Sequence, residues 1–84
     1  VYDEKAENFG TPFFMKNQQM AERAYGDLVN DPNSTINRHP GDYKLYDVGS
    51  FDDVTGIIEP NDSPKFISNA QPKIMEITDG NTSN

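Results

Sequence analysis

The sequence predicts an α+β domain in which a small antiparallel sheet, with a hairpin in its C-terminal half, packs against one amphipathic helix. Three observations predict it. Apolar residues recur at helical spacing between Met20 and Val29. A run rich in aromatic and branched residues follows at Tyr43–Phe51, and a turn sequence, Asp52-Asp53-Val54-Thr55-Gly56, precedes a second apolar pair at Ile57-Ile58. With 84 residues, the chain makes one domain at most.

Taken in order, Val1-Tyr2-Asp3 reads as the end of a strand that is expected to continue N-terminally, since residue 1 is not Met. Pro12-Phe13-Phe14-Met15 reads as a second extended segment facing inward. The helix is expected over residues 17–31: Asn17 can accept a hydrogen bond from an orphan N–H of the first turn, and Pro32 stops the helix. Met20, Ala21, Ala24, Tyr25, Leu28 and Val29 gather on one face at 100° per residue, while Gln19, Glu22, Arg23 and Gly26 lie on the other.

Residues 31–41 hold two prolines among Asn, Asp, Ser and Thr and read as a loop. The hairpin is expected over residues 43–59, with Gly56 supplying the left-handed position. Together these elements define a domain over residues 1–60. Residues 61–84, punctuated by Pro64 and Pro72, are expected to form an irregular tail with short apolar patches at Phe66-Ile67 and Ile74–Ile77, and with Gly80 to Asn84 disordered.

The expected core comprises Phe9, Phe13, Phe14, Met20, Ala24, Tyr25, Leu28, Val29, Leu45, Tyr46, Val48, Phe51, Ile57 and Ile58. Such a core barely outweighs chain entropy, so a two-fold homodimer covering a sheet edge or the open side of the aromatic layer is expected to add burial.

Composition excludes several function classes. There is no cysteine, hence no disulfide framework and no thiolate zinc site. No apolar run approaches a membrane span and no signal core is present, so a soluble protein with no membrane partner is expected, and the sequons at Asn33, Asn61 and Asn81 read as chance matches. Fourteen acidic and seven basic residues give a net charge of −7, and the cations are spaced singly, which disfavours unaided binding to polyphosphate.

His39, the single histidine, sits in the loop with no local nucleophile motif, and reads as a turn residue. Asp42, Asp47, Asp52, Asp53, Glu59 and Asp62 could attract a hard cation. They lack the ligand alternation of a calcium loop, and aspartate before a turn commonly bonds the backbone. No phosphate-binding glycine loop is present, so no cofactor is expected. The remaining candidates are partner-binding residues. Phe13, Phe14, Tyr43 and Tyr46 could stack on unpaired bases or fill the core. Arg23 projects from the polar helix face four residues before Asp27, where it could form a helix ion pair or reach a partner's carboxylate or phosphate.

Read together, Pro12-Phe13, Ala21-x-Arg23, His39-Pro40-x-Asp42-Tyr43-x-Leu45 and Gly49-x-Phe51-Asp52-Asp53-x-Thr55-Gly56 resemble the small nonstructural protein of the Microviridae, especially the gokushovirus branch of single-stranded-DNA phages. The resemblance covers residues 1–60. It implies an early, intracellular phage protein, absent from the virion and located in the bacterial host cytoplasm, that assists viral DNA synthesis or packaging. It brings no catalytic residues. The expected function is therefore nonenzymatic contact with a phage or host replication protein. Single-stranded DNA is the second candidate partner, and a metal-dependent enzyme built on the hairpin aspartates the third reading.

Overall fold

The computed structural model describes residues 1–72. Its sheet has four antiparallel strands in the order β2-β1-β3-β4, with β1 Tyr2–Asp3, β2 Asn8–Phe9, β3 Tyr43–Phe51 and β4 Ile58–Asn69. Between β2 and β3 lie helix α1, Gln18–Asn30, the short turn of helix α2, Thr35–Arg38, and a 3-10 turn at Pro40–Asp42. The α+β architecture is the one expected.

Helix α1 begins where its cap dictates. Asn17 is extended, and its side-chain oxygen accepts from the Met20 N–H at 2.9 Å. At the other end the Asp31 N–H donates to the Leu28 carbonyl at 3.2 Å, and Pro32 prevents continuation. The expected loop at residues 31–41 is more ordered than its composition suggests. Ser34 caps α2 by accepting from the Ile36 and Asn37 N–H groups, and the Asn37 amide donates to the Val29 carbonyl at 2.8 Å, fastening α2 to the end of α1.

The hairpin turn follows the sequence signal. An Asp52 carboxylate oxygen accepts from the Val54 and Thr55 N–H groups, which holds that carboxyl below its usual pKa, and the Gly56 N–H donates to the Asp52 carbonyl at 2.7 Å. Gly56 has φ +77°, where a β-branched residue is strained. Gly56→Val is therefore expected to lower stability by about 1–3 kcal/mol. Gly26→Ala, whose new methyl meets open space, is expected to raise it by up to about 1 kcal/mol. Chemical denaturation of the two variants checks both signs, and equal losses would contradict these backbone assignments.

Three expectations need correction. The irregular tail does not begin at residue 61, because β4 continues through Pro60 and Pro64 to Asn69 and the chain then buries Ala70. The two prolines are compatible with strand structure because β4 is an edge strand, whose outer side requires no N–H donors. The patch at Ile74–Ile77 and the terminal residues from Gly80 lie outside the described residues.

Second, Pro12–Met15 is neither a strand nor inward-facing: Phe13, Phe14 and Met15 are 39 %, 55 % and 44 % exposed. Third, the core is narrower than expected. Tyr25, Val29, Leu45 and Ala70 are buried, with Val1, Ile36, Tyr43 and Ile67 packed around them. Phe9, Met20, Leu28, Val48, Phe51, Ile57 and Ile58 remain exposed. The physical reason is the sheet's width under the helix. With β1 and β2 only two residues long, it covers a thin stripe of α1, and the hairpin projects beyond it.

The buried Tyr25 hydroxyl has no hydrogen-bond partner among the described residues, and burial pushes its pKa from 10.0 up to about 12. The folded state thus holds this proton more tightly than the unfolded state does. That contribution is present below pH 10.0 and is lost as pH rises toward about 12. Tyr25→Phe is expected to remove this alkaline loss and, by eliminating an orphan polar atom, to raise stability at neutral pH by about 1 kcal/mol. Denaturation midpoints of both proteins across the alkaline range check it.

Candidate functional site: an aromatic row and an apolar groove

Among the described residues, two apolar surfaces remain open. The first is a row of aromatic rings across the sheet. Tyr2 lies opposite Phe9 in the β1–β2 pair and opposite Lys44 in the β1–β3 pair, while Tyr46 lies opposite Phe66. Leu45 points into the helix-side core, so the alternation of β3 sends Tyr46 to the other face. The rings touch in sequence: Phe9 to Tyr2 at 4.8 Å, Tyr2 to Tyr46 at 6.1 Å, Phe9 to Tyr46 at 5.5 Å and Tyr46 to Phe66 at 5.8 Å between centroids. Their tilted and edge-on geometries favour aromatic packing, yet Phe9 and Phe66 at the two ends keep 44 % and 48 % exposure. Beside the row, Lys44, which lies opposite Tyr2, forms an ion pair with Glu4.

The second surface is a groove of about 500 Å³ between residues 10–17 and the hairpin. Because β1 pairs only with Tyr43 and Lys44, the side of β3 beyond Lys44 has no strand partner from β1. Residues 10–17 form an arm beside it, with the Phe14 ring 5.6 Å from that of Phe51. Pro12, Phe13, Phe14 and Met15 form one wall, Val48, Ile58 and Pro60 the other, and Ala21, Leu45 and Ile67 also border the groove. The groove and the row meet at Phe9 and Tyr46.

Of the expected partner-binding residues, Phe13 and Phe14 are brought together in the groove. Tyr43 is half-buried against the core, and its hydroxyl pKa is raised by burial, then by Asp3 and Asp42, with Arg38 opposing. Arg23 is exposed on α1 and borders neither surface, and the ion pair among the described residues is Lys44–Glu4, so Arg23 and Asp27 do not close one. Sequence reasoning missed Tyr2, Phe9 and Phe66 as site residues. The adjacent apolar pair Phe66-Ile67 was a usable strand signal, hidden by the neighbouring prolines.

The hairpin carboxylates are spread along the structure. Asp52 bonds its own turn, while Asp47 accepts from the Gly49 N–H at 3.1 Å and from the Asn61 amide at 3.2 Å. Among the described residues no group of three or more His, Asp or Glu side chains is placed to hold a metal ion. None of the helices there is long and apolar enough to cross a membrane.

No curated protein and no solved structure matches the chain. The model of one phage family matches residues 1–72, reaching beyond residue 60 to the end of the described structure and including all four strands and both helices. The match covers most of the sequence, and the chain belongs to the phage ORF5 protein family.

Proposed function

We propose that this phage protein is a nonenzymatic accessory factor of viral DNA synthesis or packaging, of the Microviridae gokushovirus type. It works in the host cytoplasm through contact with a phage or host replication protein. The observation that carries this reading is the row Phe9, Tyr2, Tyr46 and Phe66, an open aromatic strip beside which Lys44 is paired with Glu4 within the chain. Aromatic side chains are the commonest anchors of protein interfaces, and a net charge of −7 repels a phosphate backbone while leaving protein contact open.

The same row favours a second reading, because rings spaced across an open sheet are a platform on which unpaired bases can stack. Two measurements separate the readings. On the first, a photoreactive residue replacing Phe66 crosslinks to protein and not to DNA in infected host cells, and binding to an unstructured oligonucleotide is negligible at physiological salt. On the second, oligonucleotide binding is measurable and weakens steeply as salt rises, and Phe66→Ala costs about 1–3 kcal/mol for a lost stacked base. Tight, salt-sensitive binding by the unmodified protein overturns the first reading. Arg23→Ala with an intact fold and unchanged activity removes Arg23 from the contact.

A further inference from the structure

We infer that the groove between the arm at residues 10–17 and the β3–β4 hairpin is a two-fold interface between two copies of this chain. Phe9, Phe13, Phe14, Met15, Val48 and Ile58 border the groove and Phe51 adjoins it through Phe14, with exposures between 39 % and 61 %. At roughly 200 Å² for a large side chain, they present about 700 Å² of surface. That is close to the roughly 800 Å² each partner contributes to a standard stable interface.

The electrostatics of the groove permit self-association despite the net charge of −7. Among the described residues that border it, Asp47 is the one acidic or basic side chain, and its carboxylate is already engaged by Gly49 and Asn61. Two copies can therefore meet there without opposing rows of carboxylates. The core supplies the reason for the occupant to be a second copy. Among the described residues only Tyr25, Val29, Leu45 and Ala70 are buried, and more large apolar side chains are open than enclosed. A second copy is present wherever the first one is made.

Strand-to-strand pairing is a poor alternative, since Pro60 and Pro64 interrupt the outer edge of β4. A two-fold axis across the groove instead sets the arm of one protomer against the hairpin of the other, an isologous contact. The interface shares Phe9 with the aromatic row, whereas Phe66, at the row's other end, does not border the groove.

Sedimentation equilibrium of the full chain from micromolar to near-millimolar concentration tests it. The expected mass approaches twice 9.4 kDa. Phe14→Glu and Ile58→Glu, each introducing a charge at a wall of the groove, are expected to weaken the dimer by about 100-fold or more. Phe66→Glu, at a position that does not border the groove, leaves the mass unchanged. Circular dichroism verifies folding of each variant. If a glutamate variant fails to fold, the Met15 methyl resonance of the unmodified protein decides, shifting with concentration if the groove is the interface. A monomer mass throughout overturns the inference, as does a dimer indifferent to Phe14→Glu and Ile58→Glu, one that Phe66→Glu dissolves equally, or a Met15 resonance independent of concentration.

Discussion

Gly49→Ala is expected to destabilise the protein by about 3 kcal/mol, the upper part of the range for forcing atoms into a packed site. Gly49 lies opposite Pro60 in the β3–β4 ladder, where the register shifts between Asp47 and Gly49. A Cβ built there stands 2.5 Å from the Glu59 carbonyl oxygen, 3.0 Å from the Pro60 Cα and 3.2 Å from the Glu59 carbonyl carbon. All three atoms are backbone, so no rotamer change relieves the overlap and the two strands must separate locally. Strand pairing is the principal support of the projecting hairpin, so Gly49→Val is expected to cost still more. Urea denaturation reads the effect as a lower midpoint, and an unchanged midpoint for Gly49→Ala would show that Gly49 and Pro60 are not opposed as described.

That requirement at Gly49 lies beyond what local sequence signals reveal. Gly56 announced its role, because it closes the turn sequence Asp52-Asp53-Val54-Thr55-Gly56 just before Ile57-Ile58 and its φ of +77° is one that glycine readily adopts. Asn17 and the helical stripe were equally legible, and the buried Tyr25 and Val29 belong to that stripe. Gly49 gave no comparable signal, since its need arises from a strand ten residues away in sequence that seemed to end at Pro60. The β1–β2 turn was hidden for the opposite reason. Its left-handed position is held by Glu7 at φ +58°, a residue type that does not advertise a turn.

The candidate site was legible only in part for a related reason. Phe13 and Phe14 stood out as apolar residues, but composition does not distinguish a ring in a core from a ring on an open wall. The distinction depends on how far β1 and β2 extend beneath the helix, and that length is set by pairing across distant segments. The aromatic row required the β4 register as well, since Phe66 joins Tyr46 only through that ladder. Arg23 was conspicuous in the sequence because it is charged, yet it borders neither apolar surface.

Leu45→Ala is expected to cost about 2–5 kcal/mol, the range for emptying a buried leucine site. Leu45 is 2 % exposed and packs with Tyr25, Val29 and Ala70, so β3 is fastened to the helix largely through this side chain. For a domain of this size, each kcal/mol shifts Tm by about 4–8 °C, and the variant should melt about 8–40 °C lower or fail to fold at ambient temperature. Ile58→Ala provides the contrast, because that side chain is 61 % exposed on the hairpin wall of the groove. In dilute protein it is expected to change stability by less than about 0.5 kcal/mol, as surface substitutions do. At high concentration, where a second copy covers the groove, its cost should grow, because an interface that binds only folded chains stabilises them by mass action. Thermal melts of both variants over a range of protein concentrations therefore separate the core of the monomer from the surface shared by two copies. The Leu45→Ala loss should persist at every concentration, whereas the Ile58→Ala loss should appear only as concentration rises, and a constant Ile58→Ala effect would place that residue outside any self-contact.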